Sequence, residues 1–518
     1  MADIGEEGYI NRKLRSRGYQ TEELKTMKPI ITFLLLISTC IVQAQQPDRQ
    51  QFIRVEAPVI ALTHVRVIDG TGAPPLNDQT LLIADGKIKY ITAASGDLLV
   101  PPNTTTLDLK GEYTVMPGLV GMHDHMFFPM GGTPPMYSNM GFSFPRLYLA
   151  LGVTTIRTTG SVQPYLDLEI KKLIDAGLMI GPKMFITAPY LEGVGSFTPV
   201  MHTLSGADDA RKLVNYWADQ GATSFKAYMN ITRDELRAAV EEAHKRGLKV
   251  TGHLCSIGFR EAAEIGIDNL EHGIFPDSEF VANKQPDKCP GAAVNAALRT
   301  LDINSEPVKE TIRTLVAKNV AVTSTLPVFE AGAPLASSAA SGGGGASTVS
   351  PTAIGASSAV LNPRMLNVMN NEARIRYLTA RSRIAANSPQ ADLVRKSMDF
   401  ERAFVAAGGL LLAGLDPTGN GGTVAGFGDL REVELLVEAG FTPLEAIKIA
   451  TFNGAKFLGE DSRIGSIAIG KQADLMIVKG NPATKIADIE NVEIVFKDGV
   501  GYDSEKLIQS VQGLVGIR

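Results

Sequence analysis

Cysteine is scarce in this chain, with three in 518 residues, Cys40, Cys255 and Cys289. Two or three cysteines are too few for a disulfide framework. Cys255 and Cys289 are therefore expected as one buried thiol and one loop thiol, although export to an oxidising compartment would permit them to pair. The chain also lacks a basic stretch, and its formal net charge is -5. Nucleic acid and an anionic membrane surface are thus not expected partners. No apolar run reaches the ~18 to 20 residues of a spanning helix, so no retained membrane span is expected.

The hydrophobic content of 44% is enough to bury a large core, and the length allows one large domain with a smaller one. Near the start, residues 27–44 combine a basic beginning at Lys28, an apolar centre and a small residue at Ala44. These are the parts of a secretory signal peptide. The polar residues 1–26 fit poorly before such a signal, so Met27 is expected as the true start. Thr39 before Cys40 argues against lipidation, and the expected location is periplasmic or secreted, after cleavage near Ala44.

From Val59 to Leu109 short alternating segments are separated by turns. Ile60–Ile68, Thr80–Ala84 and Lys87–Ile91 read as strands, with Asp85-Gly86 as a hairpin turn. Matching pieces occur at the far end, Ala473–Val478 and Val492–Phe496. Residues 58–112 and 465–505 are therefore assigned to one small β-sandwich domain. Between them, in residues 113–464, strand-like and helix-like segments alternate. Strands are expected at Thr114–Gly121, Val153–Arg157, Lys183–Thr187, Thr223–Met229, Lys249–His253, Asn269–Glu271, Val320–Thr325 and Leu410–Leu415. Eight such strands interleaved with helices predict an α/β fold, a (β/α)8 TIM-type barrel with its chemistry at the C-terminal strand ends. Capping boxes at Thr232/Glu235 and Thr442/Glu445 start two helices. Residues 331–361 are rich in Ala, Ser and Gly and read as a mobile insertion, either a lid or an inert loop.

Histidine is rare as well, seven in all, yet four fall at the ends of predicted strands. His123 and His125 stand one residue apart after the run Val115-Met-Pro-Gly-Leu-Val-Gly-Met122. On a strand, positions i and i+2 share a face, so both imidazoles can converge on one cation. Lys226, His253 and His272 end later strands, 27 and then 19 residues apart. Asp416 ends the last one. Singly, each has an ordinary structural explanation; together they mark one site. His64 and His244 fall away from this face and read as structural.

The run Pro117–His125, the Gly152–Arg157 strand, His253, Glu271-His272-Gly273, Asp416, Thr451–Ala455 and Gly465–Leu475 resemble the amidohydrolase superfamily of metal-dependent hydrolases. The resemblance covers residues 58 to 500 and is greatest to imidazolonepropionase-like and Xaa-Pro dipeptidase-like members. It implies two divalent cations, one held by His123, His125 and Asp416, the other by His253 and His272. Zinc suits these ligands best, with manganese, cobalt or iron also compatible. Lys226 would be carboxylated and bridge the two, since an ammonium beside two dications is repelled while a carbamate is an anionic ligand. The implied chemistry is attack of a metal-activated hydroxide on a C–N amide bond of a dipeptide or N-acyl amino acid, with Asp416 as proton shuttle. Tyr228 and His202 are candidate substrate contacts. The expected partner is a small molecule, and a homo-oligomer is compatible with this reading. The same hydroxide could open a lactone, ester or phosphotriester. A non-catalytic binding protein has no reason to keep all six ligand positions filled. The second strand continues Arg157-Thr-Thr-Gly160, where relatives often carry an acidic residue after the arginine.

Overall fold

A computed structural model of the chain describes residues 49–95, 101–131, 135–334, 361–418 and 422–517. The signal-like segment 27–44 and nearly all of the expected insertion at 331–361 lie outside the described residues. The chain divides between Phe52 and Ile53, and the elements of the second unit follow. No helix among the described residues is long and apolar enough to cross a membrane.

Both chain ends build one nine-stranded sheet, as the distant strand patterns suggested. Leu76–Ala84 and Lys87–Ala93 pair antiparallel through Asp85 and Gly86, whose φ values are +52° and +69°. Two positive φ angles make the tight turn that suits the twist of the flanking strands. Tyr113–Pro117 pairs with Leu475–Lys479, so the C-terminal strands interleave with the N-terminal ones. The inner face of this sheet is filled by Ile60, Leu62, Leu81, Ile83, Val115, Ile477 and Phe496.

Eight parallel strands follow, β1 (Leu119–Asp124), β2 (Val153–Thr158), β3 (Lys183–Ile186), β4 (Ser224–Ala227), β5 (Lys249–Gly252), β6 (Asn269–Glu271), β7 (Ala321–Ser324) and β8 (Leu411–Ala413). β1 to β3 form a three-stranded sheet and β4 to β8 a five-stranded one, each in sequential order. Main-chain bonds join the two sheets: Ala188 N donates to Ser224 O at 2.9 Å, and Asp416 N donates to His123 O at 2.9 Å. Each strand leads into helix, for example Arg233–Lys245 after β4 and Phe259–Ile265 after β5. This is the sequential parallel order of a TIM-barrel-type α/β fold. Strands buried on both faces read as short apolar runs rather than alternations, which is why their positions were visible in the sequence. One expectation needs correcting: Thr114–Gly121 is not a single strand. The chain breaks at Gly118, whose N–H donates to Asp474 O, as it passes from the antiparallel sheet to parallel pairing with β2.

Both expected capping boxes are present, Thr232 with Glu235 and Thr442 with Glu445. The two cysteines correct a second expectation. Cys255 and Cys289 form a disulfide across a sequence separation of 34, because the loop after β6 folds back over the end of β5.

Candidate metal centre at the strand ends

The ends of β1 and β8 meet first. Gly414 lies so close to β1 that a β-carbon there would stand 2.4 Å from His123 Cβ. Absence of a side chain thus lets the two strand ends touch. Asp416, just past β8, and His272, just past β6, have φ of +52° and +71°. Non-glycine residues held in the left-handed region cost free energy and gather where a side chain must be re-aimed. Both turns direct their side chains to the centre of the strand ends.

There, donor atoms of His123, His125 and Asp416 lie within 4.8 Å of one another, the one such group of three or more His, Cys, Asp or Glu side chains among the described residues. His123 Nε2 and His125 Nε2 stand 3.8 Å and 3.5 Å from Asp416 Oδ1. In each histidine the other ring nitrogen is occupied. His123 Nδ1 bonds Glu271 Oε2 at 2.8 Å, and His125 Nδ1 donates to Gly160 O at 3.1 Å. Nδ1–H bonds of this kind fix the tautomer, leaving the Nε2 lone pair for a cation. The donor set, two neutral imidazoles and a carboxylate, fits a divalent ion of the zinc type.

Lys226, His253 and His272 complete the ring. His272 packs against His123 at 4.4 Å and against His253 at 4.5 Å between ring centroids. Its Nδ1 bonds Thr325 Oγ1 at 2.8 Å. Lys226 is buried, and its Nζ lies 3.2 Å from His123 Nε2, the lone pair a cation would use. All six predicted ligand residues therefore come together.

The electrostatics favour ligand forms of the imidazoles. Burial, with the neighbouring Lys226 charge, lowers His123 to about 4 and His253 to about 3. Burial likewise lowers His125 and drives His272 well below the usual value. All four rings are neutral near pH 7. Burial opposes ionisation of Asp416, yet His123 and the other rings around it, which take up protons as the pH falls, outweigh it and hold the carboxyl well below its ordinary value. Burial also lowers the Lys226 ammonium to about 8.

Two supporting residues carried no assigned role in the sequence reading. Glu271 is buried, and Arg157 donates to its Oε1 at 2.7 Å and to Asn269 Oδ1 at 2.8 Å. Burial opposes ionisation of Glu271, but Arg157 and His123 together keep it a carboxylate. The chain Arg157–Glu271–His123 supplies the second-strand support that the missing acid after Arg157 had put in question. Its signal was present in Glu271-His272-Gly273 and Arg157, but their partnership spans 114 residues and only the fold shows it.

Above His125 and Asp416 opens a cavity of about 550 Å³, lined in part by Phe127, Tyr137, Tyr190, Phe197 and Tyr228. Tyr228 is thus at the site, as expected. His202 is not, and that expectation is corrected. Its ring is about half exposed and bonds Asp209 Oδ2 at 3.0 Å, because the start of helix Ala207–Gln220 offers it a carboxylate away from the cavity. His64 and His244 also lie elsewhere, paired with Asp78 and Asp268.

Comparisons with known proteins agree with this geometry. The sequence profile of the amidohydrolase family matches residues 114–500. Among curated relatives, imidazolonepropionase of Stenotrophomonas maltophilia (strain R551-3) is 30% identical over 104 residues, 20% of this chain and 25% of that protein. The 5'-deoxyadenosine deaminase of Methanobrevibacter smithii is 41% identical over 59 residues, 11% of this chain and 14% of that protein. The matches thus span a quarter or less of these relatives. Among solved structures, a Xaa-Pro dipeptidase with bound methionine in the active site gives a TM-score of 0.61 at 20% identity, covering 86% of this chain and 100% of that one. The A. niger ochratoxinase gives 0.58 at 19% identity, covering 86% and 96%. These structures share the fold, which is TIM-barrel-type with mixed α/β content. The profile match covers well over half of the 518 residues, and the chain belongs to the amidohydrolase family of hydrolases.

Proposed function

We propose that this amidohydrolase-family hydrolase is an exported enzyme that cleaves a C–N amide bond of a small molecule, a dipeptide or an N-acyl amino acid. The observation that carries the reading is the gathering of His123, His125 and Asp416, with the outer nitrogens of both rings already bonded, on the floor of a cavity of about 550 Å³. In this reading the eight parallel strands from Leu119 to Ala413 close into a (β/α)8 barrel, and the nine-stranded sheet, which also takes in Tyr113–Pro117, folds into a β-sandwich. Export is supported by the signal-like pattern at 27–44 and by the Cys255–Cys289 disulfide.

His123, His125 and Asp416 would hold one divalent cation, zinc or a similar ion, and His253 and His272 a second. Lys226, carboxylated on its amine, would bridge them. As an ammonium it would be repelled by two dications and would compete for the His123 lone pair. When bound, such ions supply Lewis acidity toward the amide carbonyl and lower the pKa of a coordinated water. The chain's own residues do the rest. Asp416, 21% exposed at the cavity floor, accepts the proton of the attacking water and returns it to the leaving nitrogen. Tyr228 presents its hydroxyl to the substrate carboxylate from the cavity wall.

The test is free-amine release from a panel of dipeptides and N-acyl amino acids by the purified chain supplied with zinc or manganese, beside His123→Ala. Release by the parent alone supports the reading. Silence across the panel, from protein shown to hold metal, overturns it and directs the search to lactones and esters.

A further inference from the structure

We infer that a second, apolar cavity on the His253 and His272 side of the centre receives the substrate's acyl group and selects a neutral aromatic or branched aliphatic acyl over a short or a charged one. The inference rests on the amide-hydrolase reading above and narrows its substrate class.

The candidate centre stands between two cavities of different character. The larger is reached by His125 and Asp416 and carries the hydroxyl-bearing Tyr137, Tyr190 and Tyr228. The smaller, of about 230 Å³, is reached by His253 and His272 and is walled by Met229, Phe275, Val294 and Phe329. Successive residues of the short helix Leu326–Glu330 serve both, Val328 lining the first and Phe329 the second. Phe329 stacks on Phe275 with ring centroids 3.4 Å apart and planes 8° from parallel, and stands 5.8 Å from the His272 ring. An aromatic wall therefore runs up to a candidate ligand.

The opposite wall is fastened by the disulfide. Cys255, two residues beyond His253, itself lines the cavity. Its partner Cys289 closely precedes Gly291, Val294 and Asn295 on the far side. The staple thus ties the end of β5 to the segment that closes the cavity.

Charge then assigns the two flanks of the substrate. Tyrosine hydroxyls donate to a carboxylate, which places the amino-acid half of an N-acyl amino acid in the larger cavity. Its acyl half is left facing the smaller one. No carboxylate lines that smaller cavity among the described residues, so the α-ammonium of a dipeptide would lose water there without gaining an anion. A neutral acyl group of phenylacetyl or 3-methylbutanoyl size instead buries apolar surface against Phe275, Phe329 and Val294, while an acetyl group leaves the cavity unfilled.

The experiment compares kcat/KM of the full chain, loaded with zinc, on N-phenylacetyl-alanine, N-acetyl-alanine and phenylalanyl-alanine. Three substrates that share one amine isolate the acyl side. The phenylacetyl substrate should exceed the other two by about tenfold or more. Val294→Phe, which fills the cavity, should lower the ratio of the phenylacetyl rate to the acetyl rate by about tenfold. Asn295→Asp, at an exposed lining position, should shift preference toward phenylalanyl-alanine by supplying an anion. Equal rates on the phenylacetyl and acetyl substrates, or an equal loss on both in Val294→Phe, overturn the cavity assignment while leaving the amide-hydrolase reading intact. Hydrolysis of none of the three by metal-loaded protein overturns both.

Discussion

On one side of the candidate centre, His123, His125 and Asp416 stand with donor atoms within 4.8 Å, and both rings are bonded through their outer nitrogens to a carboxylate or a main-chain carbonyl. On the other side, His253 is held by ring contacts with Tyr228 at 5.0 Å and His272 at 4.5 Å. There too the Lys226 amine occupies the lone pair of His123. The first half is built before any cation arrives. Yet the His123 Nε2 lone pair that the first half would use is held by Lys226, so the lysine must give up that contact before a cation binds there and change its charge before one binds beside it. In the proposed reading the contrast places the more complete donor set in the β1/β8 half and makes occupancy of both halves depend on the lysine.

The largest effect is expected at His125. Replacement by Ala removes one of three gathered donors, so both metal retained after dialysis and amine release should fall to background; unchanged metal content would contradict the preformed half. Next comes Lys226→Ala, for which metal analysis should show about one ion per chain where the parent holds about two. Two ions in the variant would remove the bridging role. A smaller change is expected for Glu271→Gln, which weakens the partner of His123 Nδ1. Metal affinity should drop by about 10- to 100-fold, read by competition with a chelator. An unaltered affinity would show that Glu271 serves only to neutralise Arg157.

These residues also show how much was legible in the sequence. The strands beneath the site could be read because parallel strands buried on both faces leave apolar runs with sharp polar ends, and the ligands lie at those ends. β6 falls at Asn269–Glu271, as expected. What could not be read were pairings made in three dimensions. The Cys255–Cys289 bond depends on a loop returning over β5. The capture of His202 by Asp209 depends on where helix Ala207–Gln220 begins. The support of His123 by Glu271 and Arg157 joins three strands. Local pattern carries strand position and face, but the partner of a side chain is set by packing.

The smallest effect concerns stability, at a buried carboxyl beneath the site that is not one of the six candidate ligands. Glu401 is buried, and Ser324 Oγ and Ser397 Oγ donate to it at 2.9 and 3.2 Å. Burial raises its carboxyl from 4.5 to about 8. The folded chain thus keeps a proton that the unfolded chain releases. The group's contribution to stability is fully present below about pH 4.5 and is lost as pH rises to about 8. In Glu401→Gln, Tm relative to the parent should rise by a few degrees between pH 5 and pH 8.5; a difference independent of pH would contradict the buried, protonated carboxyl.

The most direct test measures metal content and amine release together in Asp416→Asn, on the best N-acyl amino acid substrate. Asparagine keeps an oxygen beside His123 and His125 but is a poor proton acceptor. The account predicts that the variant retains metal close to the parent's level and loses about 10²- to 10⁴-fold in kcat. Metal-loaded Asp416→Asn turning over at the parent's rate would contradict it.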